Sequence, residues 1–255
     1  MSVTREENLV DAFVELADTL VDDFDVIDFL HTLAKRCVEL LEVEAAGLML
    51  VDPHGTLHAS AASSENARLL ELFELQADAG PCLDAYRTGA AVVNAGLEDN
   101  RERWPRFAEA AQATGFVAVH ALPLRVRTTV IGALNLFCTR LDVLSDRDIR
   151  TGQGLADVAT VSILAHRSLQ QAEVLATQLQ NALTSRVAIE QAKGILAERL
   201  QITPDAAFGL LRAHARNRNL GLSDLARQVI DGSSTAADLV RNPRSATASA
   251  LPESG

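Results

Sequence analysis

Eight residues in the segment 186–230 are of types that suit contact with nucleic acid: Arg186, Glu190, Gln191, Lys193, Gly194, Arg212, Arg216 and Arg218. Arginine pairs with phosphate through a planar fork and also stacks on bases, whereas lysine acts as a compact charge. Arg186, Lys193 and Arg212 are the strongest candidates, because Arg216 and Arg218 are also explained as solvated surface charges.

Glycine in the middle of a helix costs about 1 kcal/mol relative to alanine. Gly194 therefore indicates the close approach of either a packed helix or a nucleic-acid backbone.

Three helices are predicted to present these side chains. The first begins inside a longer helix and runs to about Leu200, with an apolar stripe opposite its basic residues. The second begins at Thr203, an N-cap residue, followed by Pro204 at the first helical position. Ser223 is predicted to cap a third helix that runs from 224 to 230, and Gly232 ends it. This segment therefore predicts a small helical bundle.

The same segment resembles a known domain family in three successive motifs. They are I-E-Q-A-K-G-I-L from Ile189, P-x-x-A-F-x-x-L-R from Pro204, and L-x-D-x-A from Leu222. The pattern is similar to the ANTAR domain, whose members bind RNA and act as transcription antiterminators. The resemblance implies a dimer that recognises paired stem-loops in nascent messenger RNA and prevents a terminator hairpin from forming. The sequence departs from the family pattern at His214, Ala215, Leu220 and Gly221, near the end of the second helix and the start of the third.

The distribution of charge is compatible with an RNA-binding segment near the C-terminal end. Residues 176–231 contain seven Lys or Arg and five Asp or Glu, a formal charge of +2, while the whole chain of 255 residues carries −11. The acidic upstream region would repel both RNA and membranes. Contact with RNA is therefore expected only in the C-terminal module.

The upstream region is predicted to mix helices and strands. Helices are expected near 6–20, 26–41, 65–73 and 82–87, and strands at 45–51, 56–60, 91–93, 116–122 and 130–138. The sequence Asp52-Pro53-His54-Gly55 is a hairpin signal between the first two strands. An antiparallel sheet covered by helices is the simplest arrangement for this order.

The order of these elements resembles a GAF domain over about residues 20–165. The resemblance rests on G-P-C-L-D-A-Y-R-T-G-A-A-V-V-N-A from Gly80 and V-I-G-A-L-N-L-F from Val130. It implies a sensory domain whose cavity holds a small molecule, or which serves only to form a dimer. The sequence identifies no cofactor. His120 and Cys82 are both expected to be buried structural residues, although a haem ligand and a reactive thiolate are the respective alternatives.

A long helix is predicted between the two modules, because residues 155–193 contain neither glycine nor proline. An alternating spacing of three and four residues, typical of a coiled-coil seam, relates Leu169, Ala172, Ala176, Leu179 and Leu183. Alanine buries little area at such positions. The sequence therefore predicts a marginal homodimer, of the kind that a signal can shift.

The rest of the sequence bears on cellular location and on metals. Cys37, Cys82 and Cys138 lack the spacing of a zinc site and are expected to be reduced core thiols. No apolar run approaches the ~18 residues of a membrane span. We therefore expect a cytoplasmic protein without a metal site and without membrane contact.

Taken together, the sequence predicts an α+β fold in four parts. A GAF-like antiparallel sheet with flanking helices is expected at 1–165, a coiled-coil-like connecting helix at 155–185, an ANTAR three-helix bundle at 186–232 and a disordered tail at 233–255. No catalytic motif is evident, so we expect a sensor-regulated RNA-binding antiterminator rather than an enzyme. The alternative is a ligand-sensing dimer whose C-terminal helices bind DNA or a protein partner.

Overall fold

A computed structural model describes residues 5–18, 25–141 and 144–240 of the chain. The chain forms two compact units that divide after Leu169. Within the described residues, no helix is long and apolar enough to cross a membrane. The elements of the first unit are α1 (Arg5–Asp18), α2 (Val26–Leu41), β1 (Ala45–Val51), β2 (Leu57–Ala62), α3 (Glu65–Ala77), α4 (Pro81–Thr88), β3 (Val92–Gly96), α5 (Pro105–Ala113), β4 (Ala118–Val126), β5 (Thr129–Cys138) and the beginning of α6 (Asp146–Leu200).

The first unit is built on one five-stranded antiparallel sheet with the strand order β2-β1-β5-β4-β3. The predicted hairpin joins β1 and β2, where the Asp52 side chain accepts hydrogen bonds from the backbone N–H groups of His54 (2.8 Å) and Thr56 (2.9 Å). Gly55 in this turn has φ +86°, a conformation that favours glycine. The prediction of an antiparallel sheet is confirmed, and β5 is its central strand.

The sheet lies between two apolar layers, because successive side chains of a strand point to opposite faces. Leu48, Leu134 and Leu136 pack in one layer with buried residues of α2 and α6, including Leu33 and Leu155. Val119 and Phe137 pack in the other layer with Phe107 and Trp104 of the α5 region. Helix α5 was not predicted from the sequence. Its buried side is one phenylalanine and two alanines, a weak periodic signal.

Helix α6 is 55 residues long and belongs to both units. Its beginning packs in the first unit, where Leu155, Ala156, Ala159 and Ile163 are buried. Every side chain from 168 to 184 is exposed. The prediction of a continuous helix over 155–193 is confirmed, and the helix extends beyond both ends of that range.

The second unit contains the end of α6 followed by α7 (Pro204–Asn217), α8 (Leu222–Asp231) and α9 (Ala236–Val240). Its core is made largely of small side chains at intervals of four, Ala188, Ala192 and Leu196 on α6 and Ala207, Leu211 and Ala215 on α7, with Leu225, Ala226, Val229 and Leu239. The predicted cap is confirmed, because the Thr203 hydroxyl accepts from the Ala206 N–H at 3.2 Å.

Two details of the sequence prediction are wrong in this unit. Helix α8 begins at Leu222 with Gly221 as its N-cap, so Ser223 lies inside the helix and does not cap it. Helix α9 lies within the stretch predicted as a disordered tail, and its Leu239 is 6% exposed. The prediction therefore fails for residues 233–240, where packing against α7 holds the chain. Residues 241–255 lie outside the described residues.

Candidate nucleic-acid interface and buried acid cluster

One flank of α6 carries three of the predicted contact residues. Arg186, Glu190 and Lys193 are separated by four and three residues, so they lie on the same side of the helix. The Lys193 ammonium is 2.8 Å from the Glu190 carboxylate, and the Lys193 side chain is only 17% exposed. Lys193 is therefore paired within the chain, whereas Arg186 is exposed.

Lys193 also joins this flank of α6 to a flank of α7. Its ammonium lies 5.6 Å from the centre of the Phe208 ring, within range of a cation–π interaction. Arg212 and Arg216 follow Phe208 at intervals of four residues and share its side of α7. Arg186, Lys193, Arg212 and Arg216 consequently lie on one surface of the second unit. We call these four residues the basic surface.

The arginines of the basic surface are available to a ligand. Arg186, Arg212 and Arg216 are exposed, and none forms an ion pair within the part of the chain that the structure describes. Arg218 is also exposed and is the C-cap residue of α7. His214 is different, because it is buried, and burial lowers the pKa of its imidazole.

Two predicted contact residues lie away from this surface. Gln191 is two residues from Lys193, which places it about 200° around α6, on the opposite flank. Gly194 is exposed, and a β-carbon built on it would have no atom of the described residues within 4 Å. No other element of the described chain therefore packs against Gly194, so the expected approach of a packed helix is not found within it.

A second cluster of functional groups is buried in the first unit. Glu71 and Glu74, one turn apart on α3, are both fully buried. Each carboxyl lies against a glycine: a β-carbon on Gly47 would be 2.5 Å from Glu71 Oε1, and one on Gly80 would collide with the Glu74 side chain. Asn135, the partner of Gly47 across β1 and β5, is also fully buried. Only glycine leaves room for the acids at these two positions.

The two carboxyl groups of this cluster differ in their partners. Glu74 accepts from the Leu83 backbone N–H at 2.9 Å and from the Asn135 amide at 3.3 Å. Both oxygens of Glu71 and the Oδ1 atom of Asn135 have no hydrogen-bond partner among the described residues. Burial raises the pKa of Glu74 to about 7, and burial together with the nearby Glu74 raises the pKa of Glu71 well above its usual value.

His120 and Cys82, for which the sequence left alternatives open, both have the surroundings of structural residues. His120 Nδ1 accepts a hydrogen bond from the Asn94 backbone N–H at 3.0 Å, and burial lowers its pKa to about 4. Cys82 is fully buried, and burial raises the pKa of its thiol well above the ordinary value. Both observations favour the structural interpretation over a haem ligand and over a reactive thiolate.

Sequence reasoning missed Phe208 and the whole acid cluster. Phe208 was not among the predicted contact residues, and its half-buried ring lies under Lys193. The signal for the acids was the spacing of Glu71 and Glu74 beside Leu70 within α3, where an apolar stripe indicates a buried side. Acids at a helical interface are rare unless they are paired, so this pattern could have marked them.

Comparison with known proteins supports a two-part organisation. The family model of the GAF domain matches residues 25–163, and that of the ANTAR domain matches residues 177–230. No match was found among curated proteins.

Solved structures share the fold of the first unit. A free methionine-R-sulfoxide reductase from Neisseria meningitidis is 16% identical with a TM-score of 0.50, over 66% of this chain and 96% of that one. The GAF domain of an Acinetobacter phosphoenolpyruvate-protein phosphotransferase is 14% identical with a TM-score of 0.50, over 66% and 97%. The corresponding domain from Coxiella burnetii is 12% identical with a TM-score of 0.50, over 66% and 99%.

Proposed function

Because the chain belongs to the GAF domain family and carries an ANTAR domain near its C-terminal end, we propose that it is a sensor-regulated antiterminator that binds stem-loops in nascent messenger RNA. GAF domains are sensors and ANTAR domains are RNA-binding regulators of antitermination, so the architecture is regulatory. In this proposal the protein acts by binding, as a regulator rather than an enzyme. It holds a transcript in a form that excludes the terminator hairpin.

The basic surface is the observation that carries the proposal. Three of its four cations, Arg186, Arg212 and Arg216, make no ion pair within the described residues, and the fourth, Lys193, lies over the half-buried Phe208 ring. Exposed arginines contact phosphate and stack on unpaired bases, and an accessible ring edge adds apolar contact. A hairpin loop offers both phosphates and splayed bases, whereas the deep groove of the stem hides its base edges.

A homodimer is part of the proposal, because one small bundle reads one loop and a paired site needs two. The connecting part of α6 exposes the leucines of its predicted seam, with Leu169 64%, Leu179 57% and Leu183 60% exposed. Covering such side chains removes apolar area from water at about 25 cal/mol per Å². A second copy of the same helix would cover them in register.

The proposed regulation assigns the signal to the GAF domain and the RNA contact to the ANTAR domain. One helix, α6, contributes to the core of each unit, with Ile163 buried in the first and Ala188 in the second. A small ligand that binds two dimer arrangements with different affinities would shift their populations. The effect on RNA would then follow from the arrangement that presents two basic surfaces to adjacent loops.

The test compares three nucleic acids at one ionic strength by fluorescence anisotropy: an RNA with two adjacent hairpins, an RNA of the same composition that cannot fold, and duplex DNA. We expect the paired hairpins to bind most tightly. The double variant Arg186→Ala, Arg212→Ala should lose about 100-fold in affinity, because each charge-assisted contact contributes roughly tenfold. The slope of affinity against salt should also become shallower, by about one unit per lost phosphate contact.

Arg199→Ala is the matched control, because Arg199 is an exposed arginine of the same helix that lies about 140° away from Arg186 around the axis. It should bind hairpins as the unchanged protein does. Tighter binding of duplex DNA would favour the alternative regulator of DNA. Equal affinity of the double variant and the unchanged protein for hairpins would show that the basic surface does not contact RNA.

A further inference from the structure

Three oxygen atoms in the core of the GAF domain accept no hydrogen bond within the described residues. They are Oε1 and Oε2 of Glu71 and Oδ1 of Asn135. Buried polar atoms are nearly always satisfied, so a group of three acceptors without donors requires an explanation. Each of these oxygens can accept a hydrogen bond and receives none from the described residues, while a protonated Glu71 carboxyl also carries one O–H donor.

These atoms lie in one row across the sheet. Ala62 of β2, Gly47 of β1 and Asn135 of β5 are direct neighbours on adjacent strands, so they share a face. The Glu71 carboxyl lies over Gly47, between Ala62 and Asn135. The row therefore runs from the edge strand β2 inward to the unpartnered amide oxygen.

A pocket of about 410 Å³ reaches this row from the edge of the sheet. It is lined by residues 59–64, by Glu65, Arg68 and Glu71 of α3, and by His31 of α2. Its volume is within the range of sites for small organic molecules. Glu71 forms part of the pocket wall with its oxygens covered, so a ligand in the pocket contacts them only after the side chain turns toward it.

Among the described residues around the pocket, Glu71 is an acid without a cationic partner. Arg68 is already held by Glu65, with contacts of 2.6 and 2.9 Å, and it makes no ion pair with Glu71. A metal ion is a poor fit, because Ca²⁺ takes six to eight oxygens. Moreover, no group of three or more His, Cys, Asp or Glu among the described residues could hold a metal ion.

We propose that this pocket binds a small organic cation with several N–H donors, a guanidinium or a primary ammonium compound, which pairs with the Glu71 carboxylate and donates to Asn135 Oδ1. The inference names a ligand class for the GAF domain and rests on its proposed sensory role. A guanidinium presents donors in a plane that matches a carboxylate, which satisfies both Glu71 oxygens at once. The bound cation supplies the counter-charge that Glu71 needs in its ionised form.

Binding of such a cation must depend on pH. The Glu71 carboxyl is protonated below its raised pKa, and a cation binds the ionised form. The titratable and charged groups around it are Glu74 on the same helix, Cys82 and Asp84 on α4, Glu65 and Arg68 at the pocket, and His31 on α2. Affinity should rise with pH, by up to about tenfold per unit below the pKa of Glu71, and binding should release a proton.

The experiment titrates the full chain by calorimetry with methylguanidinium chloride and ethylammonium chloride, with methylurea as the neutral isostere of the first. We expect the cations to bind and methylurea to bind at least about tenfold more weakly. Glu71→Gln keeps the shape of the side chain and should lose at least about tenfold for the cations. Glu109→Gln, at an exposed position on α5, is the matched control and should bind normally.

A second measurement does not depend on any variant. The ¹³C carboxyl resonance of Glu71 in the unchanged protein should shift to its ionised position when methylguanidinium is added at neutral pH. Equal binding of methylurea, unaltered binding by Glu71→Gln, a fixed Glu71 resonance, or preferential binding of CaCl₂ or MgCl₂ would each overturn the inference. Binding of paired hairpin RNA is measured on the same preparation, so loss of cation binding with intact RNA binding counts against the inference alone.

Discussion

The two units of this protein place their functional charge in opposite locations. The first unit keeps Glu71 and Glu74 inside a core built on a five-stranded sheet, while the second keeps Arg186, Arg212 and Arg216 outside a small helical core. Residues 1–169 contain 14 Lys or Arg and 26 Asp or Glu, a formal charge of −12, whereas residues 170–255 contain nine and eight, a charge of +1.

The difference reflects the size of the ligand that each unit is proposed to bind. A small molecule can be enclosed, so its partner groups can be buried and their pKa values can be shifted strongly by the surroundings. A folded RNA cannot be enclosed by a bundle of this size, so its partner groups must lie on the surface, where salt screens them. The four predictions that follow test this contrast, from the largest expected effect to the smallest.

The helical core of the second unit is small enough for one residue to decide its stability. Leu211 is completely buried in the cluster that joins α6, α7 and α8. Leu211→Ala should lower the free energy of unfolding of this unit by about 2–5 kcal/mol. Hydrogen-exchange mass spectrometry should show faster exchange in residues 186–240, with no change in the sheet. The control Leu220→Ala, at a 38% exposed position, should change little. Equal acceleration in both units would contradict two separate cores.

Glu74, one of the two buried acids of the first unit, makes the stability of that unit depend on pH. Burial raises the pKa of Glu74 from 4.5 to about 7 in the folded chain, so the folded state binds the proton more tightly than the unfolded state does. Stability from this group is fully present below about pH 4.5 and is lost as the pH rises to about 7, a change of about 3 kcal/mol.

Urea unfolding at pH 5 and pH 8 measures this effect. The unchanged protein should lose stability in its first unit between the two values, and Glu74→Gln should lose less, because the amide does not titrate. Glu109→Gln is the control at an exposed position. A slope that Glu74→Gln leaves unaltered would assign the pH dependence to other groups.

A substitution at Gly194 tests whether this glycine serves the stability of the helix or the binding of RNA. A β-carbon at this position meets no atom of the described residues, so Gly194→Ala should stabilise the second unit by about 1 kcal/mol. If the proposed RNA backbone approaches here, the same variant should bind hairpins several-fold more weakly. Gly209→Ala, at a second exposed position within a helix, provides the matched gain in stability. Loss of stability in Gly194→Ala would show that the glycine serves the fold.

Breaking the ion pair between Glu190 and Lys193 should have the smallest effect on RNA affinity. Glu190→Gln frees the Lys193 ammonium and removes a negative charge from the basic surface. The Glu190 side chain is 59% exposed, and an ion pair with one partner in solvent is worth about 0–1 kcal/mol, so hairpin affinity should rise by only a few-fold. Glu198→Gln, an exposed glutamate on another side of α6, is the control for net charge. Weaker hairpin binding by Glu190→Gln would instead make Glu190 itself an RNA contact, as the family resemblance implies.

The sequence by itself determined most of the elements and their types, although not α5 and α9. The hairpin at Asp52–Gly55, the cap at Thr203 and the continuous helix through 155–193 follow from local rules about turns, N-caps and the absence of helix breakers, and the structure has all three. The motifs around Lys193 and Pro204 were also sufficient to identify the C-terminal domain. Local physical chemistry needs only neighbours along the chain, and those are visible in a sequence.

The tertiary structure decided which side chains meet. It brought Lys193 over the Phe208 ring, packed α9 in place of a disordered tail, and brought Gly47, Glu71 and Asn135 together from three elements. A pKa or an unsatisfied hydrogen bond depends on the atoms within a few ångströms, and those atoms come from distant parts of the chain. Sequence spacing does not specify them, so the acid cluster became visible only in the folded protein.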